Sequence, residues 1–299
     1  MTKLDFTGRV VVVTGAGRGI GRAHALLLAA RGAAVVVNDT GGAVDGSLHG
    51  ENPAAEVVDT ITAAGGRAVA STASVATEDG AQSIIDTAVA EFGGIDAVIN
   101  NAGIYSLCSW DRISATQYQE FLDVHYLGSL FVSRAAWPYL AASGRGRIVN
   151  TVSGAMLGAP DMVHYGSAKG AVFGLTRSLA VAGHHDGIKV NAIAPGADTR
   201  MIDIAAPSLP PGTAEYIKTS MSPDLVAPVA AYLAHEDCTV TGEVLSVAGG
   251  GVSRIVVGYT PGITDTALTP EVIAARLEEI MAIGDLQAAP LILPVVTEG

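Results

Sequence analysis

Tyr165 and Lys169 stand four residues apart in the run Tyr165-Gly166-Ser167-Ala168-Lys169, so a helix there carries a phenol and an ammonium on one face. Ser153 lies upstream, just past the apolar run at residues 147–152. This trio suits the interconversion of a secondary alcohol and a ketone, in which a hydroxyl proton and a hydride are exchanged. A free phenol titrates near about 10, too high for a base at neutral pH. A neighbouring ammonium favours the phenolate, so Lys169 is expected to lower Tyr165 into a useful range. Lys169 can also hold the ribose of a nicotinamide, and Ser153 can hydrogen-bond the substrate oxygen.

A hydride needs a carrier, and the start of the chain offers a place for one. The run Thr14-Gly15-Ala16-Gly17-Arg18-Gly19-Ile20-Gly21 follows a stretch of valines. Glycines there allow a tight turn and a close approach of backbone to a pyrophosphate, whose charge rests at the N-terminus of the next helix. The spacing is T-G-x-x-x-G-x-G and not G-x-G-x-x-G, with Gly15, Gly19 and Gly21 at the fixed positions. Asp39 closes the second valine-rich run. A carboxylate there accepts both hydroxyls of an adenosine ribose and repels a 2′-phosphate, which predicts NAD over NADP. A plain capping role before the loop is the other reading of Asp39. Arg18, inside the turn, pulls toward a phosphate.

Positioning these groups requires a sheet. Residues 9–13, 34–38, 67–72, 95–100, 147–152, 189–193 and 243–247 are short β-branched runs, and Ala- and Leu-rich segments fill the gaps. Apolar strands without polar alternation imply a sheet covered on both faces. The expected fold is α/β: a Rossmann-type doubly wound parallel sheet of about seven strands with right-handed crossovers. In such a sheet ligands bind at the carboxyl ends of the strands, where the glycine turn and Ser153 both fall. Long helices are expected over residues 114–142, with Pro138 near the end, and over 163–182. A polar, Gly-rich excursion at 40–52 precedes Pro53, which starts a helix.

The chain has 299 residues, 49% hydrophobic and 15% charged, which is the composition of a soluble globular protein. A net charge of −12 argues against nucleic acid and against anionic membranes as partners. Cys108 and Cys238 form no C-x-x-C pair, which argues against a disulfide framework and a zinc ribbon and favours a reducing compartment, the cytoplasm. Residues 1–8 lack the apolar stretch of a signal peptide, no apolar run reaches membrane-spanning length, and the final VVTEG is not an S-K-L address. His184-His185-Asp186 reads as a surface helix end and not as a metal site; no metal is expected.

Together TGAGRGIG, Asn100-Asn101-Ala102-Gly103, Ser153, YGSAK and Asn191-Ala192-Ile193-Ala194-Pro195-Gly196 resemble the short-chain dehydrogenase/reductase family over residues 6–251. The resemblance implies that Ser153, Tyr165 and Lys169 are catalytic. It also implies that Asn101, Ala102 and Gly103 wall the adenosine, and that Ile20, Ser74, Val75, Pro195 and Gly196 help to bind the cofactor. Thr199 would meet the nicotinamide carboxamide. Three places depart from the commonest pattern. His125, in Asp123-Val124-His125-Tyr126, takes a fourth catalytic position where Asn is usual; Ser74-Val75 replaces Asp-Val; and the spacing from Pro-Gly to Thr is one residue shorter. His125 has two readings: a neutral imidazole holding the water that in the family links Lys169 to solvent, or a packed helix histidine. More narrowly, Asn38-Asp39-Thr40-Gly41-Gly42, the following loop, Val124-His125, Arg134-Ala135-Ala136-Trp137 and Thr199-Arg200-Met201 are similar to the (3R)-hydroxyacyl-CoA dehydrogenase unit of the peroxisomal multifunctional β-oxidation enzyme. That unit also has His in this slot and an extended tail. The chain is expected to act alone, without the hydratase portion.

The expected function is therefore NAD-dependent hydride transfer between a small alcohol and ketone. Candidate substrates are a (3R)-hydroxyacyl-CoA or, alternatively, a steroid, sugar alcohol or xenobiotic alcohol. A nucleotide-sensing scaffold without catalysis is the other class, but it would have no reason to keep Ser153, Tyr165 and Lys169. Residues 1–251 are expected to form the dehydrogenase domain of a homodimer or homotetramer. Residues 200–223 form its lid, with a short helix at 213–220 between prolines. Residues 252–299 are expected to pack on this domain or on a neighbouring subunit, because they carry apolar groups at helical spacing after Pro270 and again at Leu291-Ile292-Leu293.

Overall fold

Four valines and a threonine make up the first strand, β1 (Val10–Thr14), and all five residues are buried. Successive side chains point to opposite faces, so Val11 and Val13 join one core while Val10 and Val12 join another. Such a strand needs helices on both sides. The computed structural model, which describes residues 3–47 and 51–293, provides them. Strands β2 (Ala34–Asn38), β3 (Arg67–Ser71), β4 (Ala97–Asn100), β5 (Arg147–Thr151), β6 (Lys189–Gly196) and β7 (Val244–Ala248) pair in parallel, as the alternation predicts. The sheet order is β3-β2-β1-β4-β5-β6-β7-β8.

The eighth strand, β8 (Gly251–Ile255), runs antiparallel to β7 and comes from the segment that the alternation had left outside the sheet. The Gly249-Gly250 pair makes this possible: its φ values of 54° and 83° are those of a tight hairpin turn. Helices α1 (Gly19–Ala30), α2 (Pro53–Ala63) and α9 (Ala227–Ala234) contribute to one core; α3 (Glu78–Phe92), α5 (Gly128–Ala142) and α6 (Val163–Ala182) contribute to the other. The expected helix over 114–142 is not regular. A π-helical turn, Leu122–Leu127, separates α4 (Ala115–Phe121) from α5, and Pro138 sits inside α5.

The strand order reverses direction between β1 and β4, which opens a crevice beyond Thr14 and Asn100. Asn100 Nδ2 donates to Asn150 Oδ1 at 2.9 Å and to Ser133 Oγ at 3.0 Å, and Asn150 Nδ2 donates to Thr176 Oγ1 at 3.0 Å. These buried bonds tie the ends of β4 and β5 to α5 and α6, one residue before Asn101 and Thr151.

Past β8 the chain forms a small hairpin of β9 (Gly258–Tyr259) and β10 (Gln287–Ala288). The helical pattern after Pro270 gives two short helices, α10 (Pro270–Ala275) and α11 (Leu277–Met281), because Arg276 leaves helical geometry at φ −112°, ψ 18°. Arg177 of α6 donates to the carbonyls of Gly242, Ala289 and Pro290, and Leu291 packs against the core. Ile273, Leu277, Met281 and Ile283 nevertheless remain 40%, 51%, 66% and 71% exposed. Deleting residues 257–299 is expected to lower the melting temperature by about 4 °C, the equivalent of about 1–2 kcal/mol at this chain size. A melting curve identical to that of the full chain would show that this docking adds no stability.

Candidate active site

The glycine turn joins β1 to α1 and is packed so closely that side chains cannot enter. A Cβ on Gly21 would stand 2.1 Å from the Gly15 carbonyl oxygen and 2.5 Å from Asn101 Nδ2; one on Gly15 would stand 2.8 Å from Ala102 Cα. Asn101 Nδ2 donates to the carbonyls of Thr14 and Gly15 at 2.9 and 3.0 Å. Thr14 Oγ1 in turn accepts the backbone N–H groups of Asn101 and Ala102 at 3.0 and 3.1 Å. This sews the end of β4 to the turn. Across the groove, Thr199 Cγ2 would lie 3.4 Å from a Cβ on Gly19. Bare backbone at a helix N-terminus fits a pyrophosphate, so the residues present suit a dinucleotide.

Asp39 takes the capping role expected of it. Oδ2 accepts the N–H of Gly17 at 3.0 Å and Oδ1 that of Gly41 at 2.8 Å, which fixes the carboxylate at the groove wall. Arg18 does not stand free, because Glu51 forms an ion pair with it. Ser74 Oγ accepts the Ala76 N–H at 3.2 Å, and Val75 packs against Gly128.

At the other end of the groove Ser153 caps a short 3-10 turn, Gly154–Leu157, and hydrogen-bonds Tyr165. Lys169 Nζ donates to the Thr151 carbonyl at 2.7 Å and lies 5.8 Å from the centroid of the Tyr165 ring. Tyr105 and His125 both meet that ring edge-on, with centroids 5.4 Å away. Burial pushes Tyr165 up to about 12, against the opposing hydrogen bond from Ser153. Burial likewise pushes Lys169 down to about 7. The expected lowering of the phenol by the ammonium does not appear: burial disfavours both charged forms, and only the Ser153 hydrogen bond acts to lower Tyr165.

His125 occupies the π-helical turn, the kind of helix defect that often marks a functional position. Its Nε2 lies 2.9 Å from the Ile104 carbonyl oxygen and 3.3 Å from the Ile104 nitrogen. Burial and Lys169 hold its pKa well below the usual value, so the ring is neutral, and Nε2 meets the Ile104 backbone either as donor to its carbonyl or as acceptor of its N–H, according to the tautomer. Nδ1 has no hydrogen-bond partner among the described residues. A Cβ on Gly103 would lie 2.6 Å from this ring, which explains the glycine there.

Every site residue expected from the sequence, from Gly15 to Thr199, lines one cavity of about 750 Å³. Val44, Tyr105, Met162 and Arg200 line it too and were not singled out from the sequence as site residues. Tyr105 belongs to no motif. Val44 hides in the polar, Gly-rich excursion, where residues 40–47 fold inward so that the Val44 carbonyl accepts the Tyr105 N–H at 2.8 Å. Among the described residues no group of three or more His, Cys, Asp or Glu side chains converges as a metal site would require. His184 and His185 sit exposed beyond α6.

Comparison with known proteins decides the family: residues 9–205 match the family model for short chain dehydrogenases. The chain belongs to the short-chain dehydrogenase/reductase family. A short-chain type dehydrogenase/reductase of Mycobacterium tuberculosis is 44% identical over 275 residues, covering 91% of this chain and 93% of that one. Peroxisomal multifunctional enzyme A of Dictyostelium discoideum is 42% identical over 278 residues, 93% of this chain but 61% of that protein. Among solved structures, a short chain dehydrogenase from Mycobacterium avium superposes with a TM-score of 0.77 at 37% identity, covering 96% and 98% of the two chains. A 7α-hydroxysteroid dehydrogenase complexed with NADH and 7-oxo glycochenodeoxycholic acid superposes with a TM-score of 0.73 at 28% identity, covering 84% of this chain and 98% of that one. As a short-chain dehydrogenase/reductase the protein is an oxidoreductase of a family that uses NAD or NADP. Among its described residues no helix is long and apolar enough to cross a membrane.

Proposed function

We propose that this short-chain dehydrogenase/reductase is an NAD-dependent enzyme that interconverts a secondary alcohol and a ketone, with a (3R)-hydroxyacyl-CoA as its substrate. The observation that carries the reading is the meeting of Ser153, Tyr165 and Lys169 in the same cavity as the glycine turn and Asp39. Ser153 orients the substrate oxygen by hydrogen bonding. Tyr165, protonated at neutral pH, gives its phenolic proton to a ketone oxygen or, as phenolate, takes one from an alcohol. Lys169, tethered to Thr151, places a positive charge beneath the phenol when protonated. A bound nicotinamide supplies the hydride donor or acceptor. The apolar side chains of Ile104, Tyr105, Phe121, Met162 and Met201 gather around Tyr165 and exclude water from the reacting centre.

The substrate class rests on likeness to peroxisomal multifunctional enzymes. The solved hydroxysteroid dehydrogenase favours a second reading, a steroid alcohol. Absorbance of NADH across a panel of substrates distinguishes them. We expect a (3R)-hydroxyacyl-CoA to exceed hydroxysteroids and free alcohols at least about 100-fold in kcat/KM, and NAD to exceed NADP about tenfold, which is about 1.4 kcal/mol. A hydroxysteroid turned over faster than the thioester would replace the first reading with the second.

The same reading makes residues 200–223 a lid. Helices α7 (Arg200–Ala205) and α8 (Thr213–Ser220) flank the cavity beyond Thr199, and Met201, Leu209 and Ile217 face it. Backbone hydrogen exchange there should slow with NAD and substrate bound; equal protection with and without ligands removes the lid. A homodimer or homotetramer in a reducing compartment, the cytoplasm or the peroxisome of its relatives' names, completes the proposal. Sedimentation equilibrium of the full chain tests the assembly, and a monomer would end it.

A further inference from the structure

The adenosine end of the groove carries more charge than a single ribose-binding carboxylate. Arg18 precedes Gly19 in the turn and is the N-cap residue of α1, where a cation suits a phosphate. Arg200 approaches from the opposite wall, within electrostatic reach of Arg18, Asp39 and Glu51, and its Nη1 lies 3.5 Å from the Gly42 carbonyl oxygen. Two guanidiniums facing Asp39 alone would leave this corner net positive. Glu51 corrects the balance through its ion pair with Arg18.

The position of Glu51 is built into the fold. Its carbonyl oxygen stands 2.0 Å from where a Cβ on Gly41 would be, so the two chain segments touch backbone to backbone. Gly41 N–H is itself bonded to Asp39. The next residue, Asn52, caps α2 by accepting the Ala55 N–H at 3.1 Å, and buried Pro53 packs within 2.8 Å of where a Cβ on Gly17 would lie. Glu51 is therefore anchored between Gly41 and the start of α2, with its carboxylate directed at the glycine turn.

We propose that Glu51 is a second cofactor-selecting residue: by holding Arg18 it withholds that cation from a 2′-phosphate, so that Asp39 and Glu51 exclude NADP together. The inference rests on the reading of the cavity as a nicotinamide-dinucleotide site. Asp39 acts directly, through repulsion and the ribose hydroxyls, whereas Glu51 is a positioning residue that acts through Arg18. Their effects should consequently be coupled, because a phosphate admitted by loss of Asp39 still finds Arg18 engaged.

Calorimetric dissociation constants for NAD and NADP, measured on the full chain without substrate, test this. The readout is the ratio of the NADP constant to the NAD constant, in which a general loss of binding or folding cancels. Glu51→Gln should lower that ratio at least fivefold, about 1 kcal/mol, at low salt, and Glu51→Asp should lie nearer the wild type. The gain should vanish in the double variant Glu51→Gln with Arg18→Gln. Combining Glu51→Gln with Asp39→Ser should lower the ratio by more than the product of the single effects. A change below fivefold for Glu51→Gln, or a gain that survives removal of Arg18, overturns the proposal. A wild-type protein that binds neither nucleotide overturns instead the reading of the cavity on which it rests.

Discussion

Tyr165→Phe is expected to reduce kcat by about 10³-fold, within the range that a positioned acid or base supplies. The phenyl ring keeps the edge contacts with Tyr105 and His125 and fills the same volume, so NAD affinity should stay within about threefold. What disappears is the oxygen that Ser153 bonds and that exchanges the proton with substrate in the proposed mechanism. Steady-state rates with calorimetric NAD binding separate the two effects. Tyr105 is the nearest other phenol, and its hydroxyl faces Met162 Sδ at 4.0 Å instead of Ser153. Tyr105→Phe should therefore retain most activity. A Tyr165→Phe enzyme that kept a tenth of the wild-type rate would move the proton to another group.

Lys169→Met should have opposite effects on activity and stability. Loss of the ammonium beside the phenol is expected to cut kcat at least about 100-fold. The fold, however, keeps this amine out of water, and replacing it by an apolar chain of similar length removes the cost of burying its charged form. The sign follows from burial lowering Lys169 from 10.5 to about 7. The unfolded chain takes up this proton below about 10.5 and the folded one only near 7, so wild-type stability declines as pH falls through that window. Against this gain stands the lost bond to the Thr151 carbonyl, which costs about 1–3 kcal/mol at every pH. The variant should melt about 5 °C above the wild type at pH 6 and below it at pH 10. Thermal melts of the ligand-free proteins at the two pH values decide the matter, and a difference that does not change sign contradicts the account.

The parallel strands and the glycine turn were legible because each rests on a local requirement. Valines buried on both faces make a central strand, and a turn packed against Asn101 and Ala102 admits only glycine at Gly15 and Gly21. The Tyr165 and Lys169 pair was legible because helical spacing puts both on one face. Less could be read where tertiary contact decides. The ion pair of Arg18 with Glu51 joins residues whose separation signals nothing, and Val44 reaches the cavity only because the 40–47 segment folds onto Tyr105. The raised Tyr165 was not anticipated for a related reason: spacing reveals the neighbouring amine but not the depth of burial that disfavours the charge of both groups. Nor did periodicity anticipate β8, whose pattern is mostly exposed and whose signal was the Gly249-Gly250 pair.

The π-helical turn also acts on the helix as a whole, as a phase shift. Each residue advances a regular α-helix by about 100°, so one extra residue turns everything after it to a new bearing. Phe121, before the turn, packs against His125, His164 and Tyr165, while Val132, Ala136 and Leu140, after it, pack into the sheet. Both faces are aimed inward because Leu122–Leu127 absorbs the difference. Removing one residue from this stretch would leave a helix of nearly the same length, but it would aim only one of its ends correctly. The His125 slot is thus protected by geometry: a chain can exchange the residue there far more readily than it can lose the position.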